Sequence, residues 1–256
     1  MRSPLAQLSF TLFAVWITGA LFVFDLPELE PPPPIPEAKA SPSTPSTPAA
    51  SAPGPAPSSS PPREIDDSPQ RILMFGDSMI DELMLRLADY AAHNGHDLRP
   101  AIWYGASTVH WSQSSRLRQL VAQHDPTFVI AVIGSAELTT RRLGPRRAAI
   151  ARILREVGNR KLVWIGPPSW TEDTGIDDLL AELVGRGRYF RSSRWVRDNE
   201  VARKRDGIHP TREASAAWLD AVARWITTES TVPIRLDLPV EEAPRPVAQV
   251  FPPPGG

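Results

Sequence analysis

No cysteine occurs in the 256 residues, which excludes both a disulfide framework and a lipid-modified cysteine. The fold must therefore rest on its own apolar core. Histidine is scarce as well, with five in all. His93, His96 and His124 fall near predicted helix ends without ligand spacing, which argues against a metal site. Neither sign of charge dominates, since the formal net charge is −1. No aromatic interleaving or recognition motif supports nucleic-acid binding. Residues 70–228 taken alone carry 23 Lys+Arg against 18 Asp+Glu, a formal net of +5. The basic residues are densest at Arg141, Arg142, Arg146 and Arg147. The plain reading of that cluster is a solvated helix face. The sharper one is attraction to an anionic polymer such as an envelope glycan.

One long hydrophobic run is present, at the N-terminus. Leu5 to Phe24 is a 20-residue apolar stretch without a charge, and about 20 residues at helical rise match a hydrocarbon core of roughly 30 Å. Arg2 precedes it while Asp25, Glu28 and Glu30 follow, so the positive-inside bias places the N-terminus in the cytoplasm and the remainder outside. A cleaved signal peptide ending at Thr18-Gly19-Ala20 is the alternative. The apolar run continues past that site through Leu21-Phe22-Val23-Phe24, which favours an uncleaved transmembrane anchor over residues 1–26. From Pro27 to Pro62, most of a linker over residues 27–69, the chain is Pro, Ser, Thr and Ala almost throughout, including Pro31-Pro32-Pro33-Pro34. Such a composition cannot bury enough apolar surface to offset its ordering entropy and reads as a disordered spacer. The tail, residues 229–256, is also proline-rich and is expected to be irregular. Residues 70–228 remain, an ordinary length for one domain.

Within that domain short apolar runs alternate with helix-period segments. Arg71 to Phe75 reads as a strand, and the Leu83, Leu85, Leu87, Ala88, Ala91 pattern as a helix ending before Asn94-Gly95. Arg99 to Tyr104 is a weaker strand, and Ser115 to Gln123 a helix. Phe128 to Ile133 is the clearest strand, continuous in the manner of a sheet covered on both faces. Pro145 to Val157 reads as a helix closing at Gly158-Asn159, and Leu162 to Ile165 as a fourth strand. A short helix over Asp177 to Val184, a fifth strand over Arg188 to Trp195 and a last helix over Glu213 to Ile226 complete the pattern. This alternation predicts a three-layer α/β/α sandwich around a parallel sheet. Ligands in such sheets bind beyond the carboxyl ends of the strands.

Two short segments carry the chemistry. Gly76-Asp77-Ser78 follows the first strand, where Ser78 meets the N-terminal end of a helix with its free N–H groups. By itself this serine is no more than a good helix cap. Asp206-Gly207-Ile208-His209-Pro210 lies just before the last helix, with a carboxylate and an imidazole three residues apart. A serine nucleophile needs a base, and the base needs a third group to hold its tautomer. Ser78, His209 and Asp206 supply all three. Gly-x-Ser-x-Gly is absent, which argues against the α/β-hydrolase nucleophile elbow.

At these motifs the chain resembles the SGNH hydrolases, also called GDSL esterases and lipases, over roughly Arg71 to Thr227. The first block matches Phe75-Gly76-Asp77-Ser78-Met79, the second Tyr104-Gly105-Ala106-Ser107, and the last Asp206-Gly207-Ile208-His209-Pro210-Thr211. The resemblance implies a flavodoxin-like sandwich and metal-free, cofactor-free acyl-ester hydrolysis or acyl transfer. It assigns Ser78 as nucleophile, with the N–H groups of Ser78 and Gly105 in the oxyanion hole. Together with the predicted anchor it implies an extracytoplasmic enzyme of the envelope. Its partners would be an O-acylated glycan or small acyl ester, the membrane, or an envelope partner protein.

The third block departs from that pattern. Where the family has Gly-x-Asn-Asp, this chain has Gly134-Ser135-Ala136-Glu137. The missing asparagine is an oxyanion donor, and losing one such donor removes about 2.7–4 kcal/mol of transition-state stabilisation. Three readings remain open: Ser135 or a rotated amide substitutes, two backbone donors suffice, or the domain has lost its chemistry and only binds. Glu137 reads as a helix-start carboxylate. Ser135, His110, Trp111 and Trp170 are candidates for an acyl or sugar pocket, with packing beneath loops as the alternative for the aromatics.

Overall fold

Strand β1 (Arg71–Gly76) sets the pattern for the whole sheet. Its side chains alternate between two apolar layers, as a period of two requires: Leu73 and Phe75 enter one, Ile72 and Met74 the other. The computed structural model describes residues 64–254. The chain separates into two units, Met1–Ser58 and Ser59–Gly256, and all described residues belong to the second. The predicted anchor and most of the proline-rich linker lie outside the described residues. Among the described residues, no helix is long and apolar enough to cross a membrane.

After β1 come α1 (Ile80–His93), β2 (Asp97–Trp103), α2 (Thr108–Gln113), α3 (Arg116–His124) and β3 (Phe128–Val132). A 3₁₀ turn, Ser135–Glu137, leads to α4 (Leu143–Val157), β4 (Lys161–Ile165), α5 (Ile176–Val184) and β5 (Tyr189–Phe190). The chain ends in α6 (Ser192–Asp198), α7 (Arg212–Thr228) and β6 (Gln249–Phe251). The sheet runs β5-β4-β3-β1-β2-β6, and every pairing is parallel. Helices α1 and α7 cover one face with Leu83, Leu87, Trp218 and Val222. Helices α3, α4 and α5 cover the other with Leu120, Ile153 and Leu180. This is the expected three-layer α/β/α architecture. Its first five strands follow the flavodoxin-like order, whose direction reverses between β1 and β3.

At that reversal the two strands come unusually close. A Cβ added to Gly76 would lie 1.9 Å from the Val132 carbonyl oxygen, so only glycine fits beside β3 there.

Three elements differ from the sequence reading. Helix α2 was not expected; Ser107 nucleates it, its hydroxyl accepting from His110 N at 3.3 Å. The fifth strand was expected to run to Trp195 but stops at Phe190, and α6 follows. Asp177 on α5 gathers the Ser193 hydroxyl at 2.7 Å and the Arg191 guanidinium at 2.9 Å. It also accepts from the Tyr189 hydroxyl, and these bonds turn the chain out of the sheet. The tail is irregular over most of its length, yet it belongs to the fold. Ile234 and Leu236 are buried with α1 and α7, and β6 extends the sheet beside β2. Proline content hid the short alternation that buries them.

The Gly76 contact makes a direct prediction. Gly76→Ala should destabilise the domain by about 3 kcal/mol or more, because strand backbone rather than a flexible side chain must yield. Urea denaturation measures this, and a loss below about 1 kcal/mol would show that β1 and β3 separate easily.

Candidate active site

Ser78 lies in the turn between β1 and α1, at the carboxyl end of the sheet and at its reversal point. The turn is fixed from beneath by Asp77, which is 1 % exposed. One carboxylate oxygen accepts from Met79 N at 3.0 Å. The other accepts from Gly134 N and Ser135 N at 3.3 Å each, and from the Ser135 hydroxyl at 2.8 Å. Asp77 thus ties the loop after β1 to the loop after β3. Burial pushes its pKa up, against the pull of these four donors.

The partner of Ser78 arrives on a hairpin-like segment, residues 202–211. Lys204 N donates to the His209 carbonyl at 2.7 Å and Thr211 N to the Ala202 carbonyl at 2.9 Å. Gly207, at φ +70°, makes the turn at its tip. Asp206 accepts from the backbone N–H of Ile208 at 2.8 Å and of His209 at 3.0 Å through one oxygen. Its other oxygen lies 2.7 Å from His209 Nδ1, and His209 Nε2 lies 2.7 Å from Ser78 Oγ. The bond from His209, followed by the two backbone donors, holds the Asp206 carboxyl well below the usual carboxylate range. An ionised carboxylate only accepts, so the proton on this contact belongs to Nδ1. Nε2 then presents a lone pair to the Ser78 hydroxyl, the arrangement a serine nucleophile needs.

Two residues that sequence reasoning missed hold this segment in place. The Arg203 guanidinium donates to the Ile208 carbonyl and, at 3.1 Å each, to the Pro168 and Ser169 carbonyls. It locks the hairpin to the loop after β4. Lys204 reaches Glu82 on α1 at 2.6 Å. Nothing in the spacing marks either residue; a basic pair just upstream of Asp206 is an ordinary surface feature.

A cleft of about 150 Å³ opens at the nucleophile, bounded by Met79, Tyr104 and Pro210 beside Ser78 and His209. Gly105 follows Tyr104, exposed and at φ +69°. Among the described residues neither the Ser78 N–H nor the Gly105 N–H has a hydrogen-bond acceptor. These amides are available to a developing negative charge.

The expected pocket residues are placed elsewhere. Trp111 is fully buried, packed edge-on against Phe75 at 5.0 Å and Trp103 at 5.5 Å between ring centroids. Its bulk is satisfied by the core, not by a ligand. His110 closes a capping box on α2, its Nδ1 accepting from Ser107 N at 3.0 Å. Trp170 donates its indole N–H to the Ser135 carbonyl at 3.2 Å, pinning the loop after β3. Ser135 itself gives both its hydroxyl and its N–H to Asp77, which removes it as a replacement oxyanion donor. None of the four lines the cleft at Ser78. Glu137 is buried and caps α2 rather than its own turn, accepting from Thr108 N at 2.8 Å, the Thr108 hydroxyl at 2.9 Å and Arg146 at 3.0 Å. Arg147 pairs with Glu182, so half of the basic cluster serves internal contacts. Ala136, between two committed neighbours, is exposed and offers only a methyl group.

No family model matches this chain, and no curated protein is similar to it. Among solved structures it is similar to the psychrotrophic esterase EstA from Pseudoalteromonas sp., inhibited by monoethylphosphonate, at 17% identity and a TM-score of 0.46. That match covers 61% of this chain and 96% of the other. It is also similar to LAE5, an alpha/beta hydrolase enzyme from the metagenome of Lake Arreo, Spain, at 15% identity and a TM-score of 0.48. There the coverage is 61% of this chain and 94% of the other. At these values neither likeness bears on the chemistry of this chain.

Asp77 yields a prediction that does not depend on turnover. Asp77→Asn sets an N–H₂ against backbone N–H donors, so it should cost about 1–3 kcal/mol of stability. The pH dependence should change with it. A folded-state pKa raised above the unfolded value means that the native chain binds this proton more tightly. Wild-type stability from this group is therefore greatest below the ordinary carboxylate range and declines as pH rises through that range to the folded value. The Asn variant should lack that decline; urea midpoints that fall in parallel for both proteins would refute the assignment.

Proposed function

We propose that this chain is a serine acyl esterase or O-acyltransferase of the SGNH type. The observation that carries the reading is the continuous contact from Asp206 through His209 to Ser78, at 2.7 Å on each side of the imidazole. Ser78 Oγ attacks an ester carbonyl while His209 Nε2 takes its proton. Asp206 holds His209 in the Nδ1–H tautomer and stabilises the imidazolium that forms. The carbonyl oxygen becomes an oxyanion facing the Ser78 and Gly105 amides. As the intermediate collapses, His209 returns the proton to the leaving alcohol, and water or an acceptor hydroxyl then releases the acyl group by the same route. A cleft of about 150 Å³ suits a short acyl chain such as acetyl. The predicted anchor and spacer support an extracytoplasmic, membrane-tethered setting, and with it O-acylated envelope glycans as substrates.

Ala136 favours a second reading, a catalytically silent module that binds envelope polymer or a partner protein. Hydrolysis of p-nitrophenyl acetate by the full chain separates the two. On the esterase reading, His209→Ala loses at least about 10²–10⁴-fold in kcat/KM, Ser78→Ala loses no less, and an acyl phosphonate labels Ser78. Equal inactivity of wild type and Ser78→Ala, with no labelling, would leave only the binding module.

The departure at position 136 has its own test. Ala136 is exposed, so a larger side chain fits, and an amide there supplies the donor that the family pattern has. Ala136→Asn should raise kcat by about 10-fold to 100-fold with little change in KM, since the gain is confined to the transition state. An unchanged kcat would show that the two backbone amides already saturate the oxyanion.

A further inference from the structure

Next to the nucleophile cleft lies a second, larger pocket of about 320 Å³, enclosed by α1, α7 and the tail near Ala243. Its volume is at the lower end of the roughly 300–1,000 Å³ typical of ligand pockets. The two recesses adjoin. Glu82, one helical turn beyond Ser78, lines both. Asp81 of the cleft faces Arg245 of the pocket at 3.8 Å.

The floor of this pocket is rigid. Asp220 on α7 accepts from Arg86 Nε at 2.8 Å and from the Tyr90 hydroxyl at 3.0 Å. Arg86 also reaches Asp89 at 3.2 Å, and Asp89 accepts from Ala243 N at 2.8 Å, which fastens the tail as the far wall. Burial, followed by the bond to Asp220, pushes the Tyr90 pKa up to about 12, so its hydroxyl remains a donor. The rim is different. Arg212 and Arg245 are 62% and 69% exposed at the side chain, and their nearest carboxylates, Glu242 and Asp81, stand 3.8 Å away. Neither pair is within hydrogen-bond distance, so both guanidinium groups retain donors for a ligand.

Guanidinium groups only donate and carboxylates only accept. An anionic ligand would meet the carboxylates of Glu82, Asp89, Asp220 and Glu242, and a cationic one would meet three arginines. A hydroxyl both donates and accepts, so a ligand bearing several hydroxyls satisfies the mixed lining. Leu85, Ala216 and Pro246 add apolar surface for its C–H faces. We propose that this pocket binds the polyhydroxylated, sugar-like alcohol portion of an ester whose acyl carbonyl lies at Ser78. The proposal rests on the esterase reading and adds the site that selects the alcohol.

Kinetics with two esters test it on the full chain. p-Nitrophenyl acetate occupies the cleft alone, whereas an O-acetylated methyl glucoside also reaches the second pocket. With the rim removed in Arg212→Ala and Arg245→Ala, kcat/KM for the glucoside ester should fall about tenfold in each, mostly through KM, as expected for loss of a charged hydrogen bond to a bound hydroxyl. Activity on p-nitrophenyl acetate should stay within about twofold of wild type, as rim residues that never touch the acyl group require. Equal loss on both esters would place the arginines in support of the nucleophile and overturn the subsite. No loss on either would overturn it too, leaving the esterase reading intact. A wild type inactive on both esters and unlabelled at Ser78 would remove the esterase reading and the subsite together.

Discussion

The close approach of β1 to β3 is the constraint on which the site depends. Gly76 allows the strands to meet where a side chain would collide with the Val132 carbonyl. Immediately beyond, Asp77 collects donors from both following loops. A buried carboxylate is costly unless its lone pairs are occupied, and here four donors occupy them. The result is a rigid joint at the sheet's reversal point, where parallel sheets open a crevice. Ser78 is the next residue, so its position is inherited from the joint. The Gly-Asp-Ser order therefore reads as three physical requirements in sequence: no side chain, a buried acceptor, an accessible hydroxyl.

His209 comes to Ser78 from the far end of the domain by a different device. Segment 202–211 has few apolar anchors, and hydrogen bonds hold it instead. Arg203 ties it to the carbonyls after β4 and Lys204 to Glu82 on α1, while Thr211 starts α7 with its hydroxyl accepting from Ala214 N. Within the segment Asp206 has two tasks, rounding the turn through backbone N–H groups and orienting His209. The bond from His209 does most to keep the Asp206 carboxyl ionised, and the backbone bonds that shape the loop add to it.

Most of the sheet was legible in the sequence because burial on both faces leaves continuous apolar runs, as at Ile72–Phe75 and Phe128–Val132. Helices α1, α4 and α7 were legible from their apolar spacing. Elements shaped by specific polar contacts were not. Helix α2 depends on Ser107 and on Glu137 from a distant loop, and the end of β5 depends on Asp177; neither leaves a periodic trace. The tail was obscured because Ile234 and Leu236 occupy so short a stretch between prolines. At the site, the Ser78, His209 and Asp206 contacts were readable from motif order. The aromatic candidates were not, since a tryptophan after a strand fills the core as readily as it lines a pocket. Trp111 does the former, and Arg203 had no sequence signature at all.

The loop after β3 divides its residues between inward and outward positions. Ser135 and Glu137 point into the protein and are fully engaged, one by Asp77 and the other by α2 and Arg146. Ser135 holds this loop against the joint that positions Ser78, and its hydroxyl cannot be released to meet an oxyanion without loosening that joint. Between Ser135 and Glu137, residue 136 faces outward, and there the chain has alanine. On the proposed esterase reading, charge developing on a substrate carbonyl would then be met by the amides of Ser78 and Gly105. Fewer donors place more of the demand on the leaving group and on accurate placement of the ester. On that reading, binding energy at the alcohol side, away from the reacting carbon, contributes most, and the mixed polar pocket between α1, α7 and the tail is the place proposed for it.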